Sequence, residues 1–181
     1  SAKKTFSPGL YDLTELQRDA NRRFGFSAKE TLNIMQRLYE QHKVLTYPRT
    51  DSRYIGSDIV PTIKERLKAC NIGPYKKFIP SLLKAPIKTS KAFVDDAKVS
   101  DHHAIIPTEE FVQLEHMSND ERKIYDLVIR RFISVLYPAF EYEQTTLKAS
   151  AAGQAFTAKG KVIRSPGWKA IYDSSSAADS S

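Results

Sequence analysis

Apolar residues recur at helical spacing in three stretches, and each stretch opens on a capping signature. Asp12-Leu13-Thr14-Glu15 precedes an apolar set at Leu13, Leu16, Ala20 and Phe24, with Gly25 placed as a natural C-cap. Ser27-Ala28-Lys29-Glu30 opens a second helix, with Ala28, Leu32, Met35 and Tyr39 on one face. Ser118-Asn119-Asp120-Glu121 opens the third, whose stripe runs through Ile124, Leu127, Val128, Val135 and Leu136 and stops at Pro138. Between the second and third, Val44-Leu45-Thr46-Tyr47 reads as a short strand halted by Pro48. Two short helices leading into a strand are compatible with a helix-turn-helix or winged-helix arrangement, and equally with many unrelated folds.

The remaining stretches are weaker. A helix is expected from Ser57-Asp58 through Ile63 and Leu67 to about Ala69, and a short one from Tyr75 to Leu83 between Pro74 and Pro86. Residues 84–100 are polar and lysine-rich, as in an exposed loop. After Pro138 the period changes: residues 140–149 and 155–163 alternate around Gly153, which predicts a hairpin with few partners for a larger sheet. The chain is therefore expected to be α+β and mainly α. A helical domain covers residues 1–138, an incomplete antiparallel β ribbon covers 139–172, and a disordered Ser/Ala/Asp tail covers 173–181.

Composition narrows the class. At 181 residues the chain can bury the core of one domain or a little more. A hydrophobic share of 41% and a charged share of 27% are those of an ordinary globular protein. No apolar run reaches the roughly 20 residues that a membrane span needs, and the N-terminus has no secretory pattern. Cys70 is the single cysteine, so an internal disulfide and a cysteine-rich metal site are excluded, and an intracellular protein is expected. The net charge of +7 is unevenly placed: residues 1–100 hold 19 Lys and Arg against 10 Asp and Glu, while residues 101–181 hold 9 against 11. Cation concentrated in one half fits a surface that meets phosphate, and also a solvated basic face with no partner.

Two segments carry candidate chemistry. In Tyr47-Pro48-Arg49-Thr50-Asp51-Ser52, an extended backbone would put Tyr47, Arg49 and Asp51 on one face. A phenol needs a partner that favours its phenolate or takes its proton, and Arg49 offers a planar fork able to grip a phosphate beside it. By spacing alone the string fits an ordinary strand end followed by an Asp/Ser turn better. In Asp101-His102-His103-Ala104-Ile105-Ile106-Pro107-Thr108, adjacent histidines in extended backbone face opposite ways, so they are not expected to chelate one metal. No Gly-rich phosphate loop, Asp-x-Asp pair or metal-ligand cluster appears in the sequence.

Taken in order, these segments resemble the type IA DNA topoisomerases, with the bacterial topoisomerase III pattern the nearest. The likeness runs through Leu10-Tyr11-Asp12-Leu13-Thr14-Glu15-Leu16-Gln17-Arg18, Gln36-Arg37-Leu38-Tyr39-Glu40 and Thr46-Tyr47-Pro48-Arg49-Thr50-Asp51-Ser52-Arg53-Tyr54, then on to Asp101-His102-His103-Ala104-Ile105-Ile106-Pro107-Thr108 and Gly167-Trp168. It spans roughly residues 8 to 172. The resemblance implies that Tyr47 is the nucleophile forming a transient 5′-phosphotyrosine bond, that Arg49 contacts the scissile phosphate, and that His102 contacts DNA phosphate. Thr46, Asp51, Ser52, Arg53, Asp101 and His103 are implied as supporting or DNA-contacting residues, with no firm role for His103.

The resemblance also implies parts that the sequence lacks. Family members carry a Toprim domain whose acidic residues hold Mg²⁺, and no metal ligands are expected in this chain. The expectation is a catalytically incomplete piece, beginning before the tyrosine-bearing domain and ending inside the β-rich arch, monomeric and cytoplasmic among nucleoid DNA. Its partners would be single-stranded DNA and the remaining domains of its own polypeptide. The rival readings are a DNA-binding module with the same fold and no chemistry, and an unrelated tyrosine enzyme such as a recombinase or relaxase. The dispersed arginines and the three-histidine cluster that those last two need are not visible.

Overall fold

The computed structural model describes residues 2–138, 140–151 and 154–172. The chain divides into two compact units, one of residues 8–136 and the other of residues 1–7 with 137 onward. The first is helical and carries both candidate segments.

Helix α1 (Leu13–Phe24) begins where the Asp12 carboxylate accepts the Glu15 N–H at 2.7 Å, and ends at Gly25, whose φ of 73° supplies the left-handed cap. Helix α2 (Ala28–Glu40) opens on the full reciprocal capping box between Ser27 and Glu30. Helix α5 (Asn119–Leu136) opens on another between Ser118 and Glu121. The buried face of α2 is not the expected one. It is Thr31, Ile34, Met35 and Leu38, while Ala28 is exposed and Leu32 and Tyr39 are half-buried. Helix α5 is covered nearly all round: Tyr125, Ile129, Phe132 and Ile133 join Ile124, Leu127, Val128 and Leu136 inside, and Val135 is only half-buried.

Burying α5 on nearly all sides requires its polar groups to be paired. Arg131 donates to Asp19 Oδ2 of α1 at 2.9 Å and to the Gly9 carbonyl at 2.8 Å, with its guanidinium 4.1 Å from the Tyr11 ring centroid. Tyr11 Oη donates to the same Asp19 oxygen at 2.6 Å. Arg130 chelates Asp126, which also accepts from Tyr75 Oη. Burial, and then the Asp126 carboxylate, push the Tyr75 phenol well above its usual value.

Glu121 ties α5 to α2. It accepts from Arg37 Nε at 3.0 Å and the Ser118 N–H at 2.9 Å, and lies 3.1 Å from His42 Nε2. Burial works to raise this carboxyl, but the Ser118 N–H, Arg37 and His42 outweigh it and hold it below the usual carboxylate value of 4.5. A depressed carboxylate adds stability above its unfolded-state value and loses it as pH falls through the native one. Glu121→Gln is therefore expected to lower stability near pH 7 by about 1–3 kcal/mol. The gap from wild type should narrow as pH falls below the usual carboxylate value and through the lowered native one, as read by thermal denaturation across pH.

The intermediate elements are shorter than expected. The stretch opened by Ser57 is turn and 3₁₀ backbone until helix α3 (Ile63–Ala69). The stretch from Tyr75 to Leu83 is a 3₁₀ turn (Gly73–Lys77) followed by helix α4 (Ile79–Leu83), and its break falls at Phe78, two residues before Pro80. Residues 44–47 form no strand: a single antiparallel bridge joins Leu45 to Pro107. The lysine-rich loop is pinned where Phe93 is buried and Val94 bridges Ile55 in parallel, and again where Asp96 accepts from the Ser57 N–H and hydroxyl.

In the second unit, β2 (Phe140–Ala151) and β3 (Gln154–Ser165) form the expected antiparallel ribbon. A third strand, β1 (Ala2–Thr5), pairs with β2 from Ala2↔Glu143 to Thr5↔Phe140, so the sheet has the order β1-β2-β3. Residues 1–7 thus belong with the ribbon and not with the helices. Trp168 Nε1 donates to the Thr5 carbonyl at 2.8 Å, and Lys169 lies 3.9 Å from the Phe140 ring centroid. The turn at Gly153 and the tail from residue 173 fall outside the described residues.

Candidate active site

Five backbone hydrogen bonds bring the two candidate segments together. Thr46 N–H donates to the Ile106 carbonyl and Thr108 N–H to the Val44 carbonyl, at 3.0 and 3.1 Å. Ile105 N–H donates to the Tyr11 carbonyl, Ala104 N–H to the Tyr54 carbonyl, and Leu13 N–H to the Thr50 carbonyl. The first turn of α1 and residues 102–108 therefore fix residues 44–55 from two sides. Arg66 of α3 fastens the outer edge by donating to the Pro107 carbonyl at 2.8 Å, and burial lowers its pKa against the raising effect of Glu109.

Within this frame Tyr47 is half-buried. Its ring stacks on His102 with centroids 4.4 Å apart and planes at 34°. On another side it meets Tyr39 of α2 edge-on, at 5.5 Å and 75°. A phenol held between two rings has lost most of its rotamer freedom before any substrate arrives.

Arg49 and Asp51 share an open cleft of about 430 Å³ with Thr14, Asp101 and His102. Tyr47 does not line it. The alternation expected of extended backbone is broken where Thr50 N–H bonds back to the Pro48 carbonyl at 3.0 Å, a three-residue turn. Tyr47 instead reaches the cleft through its stack on His102. Arg49, Asp51, Asp101 and His102 are all exposed there, so two groups able to carry positive charge face the same space as two carboxylates.

The other named residues hold the frame. Thr46 Oγ1 accepts the Ile106 N–H at 3.0 Å. Arg53 Nε donates to the Leu10 carbonyl at 3.1 Å. His103 Nδ1 lies 2.7 Å from the Ala104 carbonyl, which requires its proton on that nitrogen and turns the ring away from the stack that His102 makes. Ser52 is 5% exposed, and its hydroxyl accepts the Tyr54 N–H at 3.2 Å while donating to the Lys98 carbonyl at 2.8 Å. Ser52→Ala leaves both partners without that bond. It is expected to cost about 1–3 kcal/mol in thermal denaturation and to speed amide exchange at Tyr54.

Sequence reasoning missed Tyr39 and Arg66 as members of this site. Tyr39 was placed on the apolar face of α2, and its offset of eight residues from Tyr47 gives no sign that the chain folds back between them. Among the described residues, no group of three or more His, Cys, Asp or Glu side chains stands close enough to hold a metal ion. The Mg²⁺ that the resemblance implies belongs to the Toprim domain, and the steps below concern the side chains of this chain.

A sequence model of the DNA topoisomerase family matches residues 1–181. The DNA topoisomerase 3 of Bacillus cereus is 67% identical over 171 residues, covering 94% of this chain and 24% of that protein. The DNA topoisomerase 3 of Bacillus subtilis is 61% identical over 173 residues, covering 96% and 24%. The fold is also that of part of the full-length topoisomerase I of Thermotoga maritima, with a TM-score of 0.68 at 24% identity over 95% of this chain and 28% of that one. The chain thus spans about a quarter of the length of the relatives it matches.

Proposed function

Because the chain belongs to the bacterial type IA DNA topoisomerase family, with topoisomerase 3 proteins among its relatives, we propose that Tyr47 is the nucleophile that cuts and rejoins one DNA strand. The observation that carries this reading is the stack of Tyr47 on His102, a ring that shares its cleft with Arg49. Three groups suited to a phosphodiester are gathered from positions 55 residues apart in the chain.

The chemistry balances without an external energy source. Tyr47 Oη attacks phosphorus, the bond to the 3′ oxygen breaks, and the phosphate stays ester-linked to tyrosine at the 5′ end. Attack by the released 3′ hydroxyl reverses the step, so strands can be passed in between without ATP. Negative charge grows on the nonbridging oxygens, where the Arg49 fork is most effective, and protonated His102 adds a second cation at the same phosphate. Asp51 and Asp101 limit how much anion the cleft holds before DNA arrives. No side chain of the described residues is placed as a base for the Tyr47 proton.

The helical unit serves as a winged-helix-like platform for Tyr47, and single-stranded DNA is the substrate. Mg²⁺ is held by the Toprim domain of the whole enzyme, which acts among nucleoid DNA to relax or unlink it, and the piece described by this chain is monomeric. The test uses the whole topoisomerase containing this chain, with Mg²⁺ and end-labelled single-stranded DNA, quenched in denaturant. A 3′-end label should travel with the protein and a 5′-end label should not. Tight noncovalent binding with no adduct would favour a DNA-binding module instead.

A further inference from the structure

Tyr47 borders a second cleft, which the phosphate chemistry does not use. It has a volume of about 590 Å³ and is walled by Tyr39, Leu45 and Tyr47, with Lys43, Glu40 and Thr108 around them. Its walls are rings and an aliphatic chain, unlike the guanidinium, imidazole and carboxylates of the Arg49 cleft. Lys43 is exposed and sits at φ 59°, a conformation that side-chain-bearing residues rarely adopt. Its carbonyl is fixed there by the Thr108 hydroxyl at 2.7 Å.

We propose that this cleft holds the first nucleotide of the strand that becomes joined to Tyr47. Its base packs against the rings of Tyr39 and Tyr47, and Lys43 meets the following phosphate. The inference rests on the reading of Tyr47 as nucleophile. The new ester forms on Tyr47 Oη, so the attached sugar and base are tethered within one nucleotide of that ring. Of the two clefts, the charged one, which Tyr47 meets only through His102, suits the phosphate, and the aromatic one that Tyr47 itself lines suits a base, whose faces are apolar and stack on any ring. Glu40 repels a phosphate at its own end but accepts a hydrogen bond from an exocyclic amine, which leaves Lys43 as the phosphate contact.

The test measures the covalent adduct formed by the whole enzyme on an oligonucleotide with one defined cleavage site. The nucleotide just 3′ of the break is either normal or abasic. Removing that base should lower the adduct at equilibrium about tenfold, the worth of one base–aromatic stack. Tyr39→Ala should lower the adduct on normal DNA by a similar factor and abolish the difference between the two substrates. Lys43→Gly, which suits the backbone at φ 59°, should make the salt dependence of binding shallower only on strands extending beyond that nucleotide. Equal adduct on normal and abasic DNA with wild type overturns the proposal. So does a Tyr39→Ala loss that is the same on both substrates, which would mean that Tyr39 only positions Tyr47. No adduct on either substrate would overturn the assignment of Tyr47 itself.

Discussion

Tyr47→Phe in the whole enzyme should eliminate the covalent DNA adduct to below detection while leaving noncovalent DNA binding nearly intact. The substitution removes one oxygen and keeps the ring, so the contacts with His102 at 4.4 Å and Tyr39 at 5.5 Å are retained. The folded frame around residues 44–55 does not depend on that hydroxyl, and thermal stability should match wild type. Arg49→Ala should lower the cleavage rate by about 10²–10³-fold, the usual effect of removing one donor aimed at developing charge. Arg49→Lys should rescue little of this, because an ammonium cannot reproduce the fork. His102→Ala removes the proposed phosphate contact and one wall of the tyrosine clamp, so it should slow cleavage. Quench-flow measurement of adduct formation checks all four substitutions.

The second large effect is on stability. Asp19 is 1% exposed and holds Arg131, Tyr11 and Arg22 around one carboxylate. Asp19→Ala strands Arg131 inside the helical unit with its charge uncompensated at that point, and should cost about 3–5 kcal/mol. A loss of that size should lower the thermal midpoint by on the order of 10 °C. Replacing both partners at once, Asp19→Leu with Arg131→Met, should cost clearly less than Asp19→Ala alone, because neither charge is then left buried. Circular dichroism melts of wild type, Asp19→Ala and the double variant make the comparison. A loss under about 1 kcal/mol for Asp19→Ala would mean that water reaches the Arg131 guanidinium.

Much of the helical unit was legible because its signals are local. A capping residue, its partner three positions on and a left-handed glycine specify where α1, α2 and α5 start, and where α1 stops, without reference to anything distant. What failed was non-local. The strand expected at residues 44–47 shrinks to one bridge because the N–H groups that would extend the ladder bond elsewhere, that of Ile106 to the Thr46 hydroxyl and that of Val44 to the Leu38 carbonyl. Strand β1 was invisible because four residues, mostly exposed, become a strand only by pairing about 140 positions along the chain. The face of α2 was misjudged because Leu32 and Tyr39 are apolar for a different reason: Tyr39 packs against Tyr47 at the site and not in the core.

The same division runs through the site. The string around Tyr47 and the one around His102 were readable as motifs, and the resemblance they carry led to the family shown by the comparisons. Their geometry was only partly readable. Period-two reasoning put Tyr47, Arg49 and Asp51 on one face, and the turn closed between Pro48 and Thr50 separates Tyr47 from the other two. That separation gives the tyrosine two different neighbouring clefts, one for phosphate and one for a base.

Trypsin cuts after Lys43 and Arg49, which isolates Val44–Arg49 as a six-residue peptide with Tyr47 as its only hydroxyl-bearing ring. The most direct measurement is mass spectrometry of that peptide, from whole enzyme trapped on single-stranded DNA and digested with nuclease and trypsin. The account predicts Val44–Arg49 carrying a nucleotide through its 5′ phosphate on Tyr47, with cleavage after Arg49 still efficient. A nucleotide on any other peptide, or one joined through its 3′ phosphate, would contradict it.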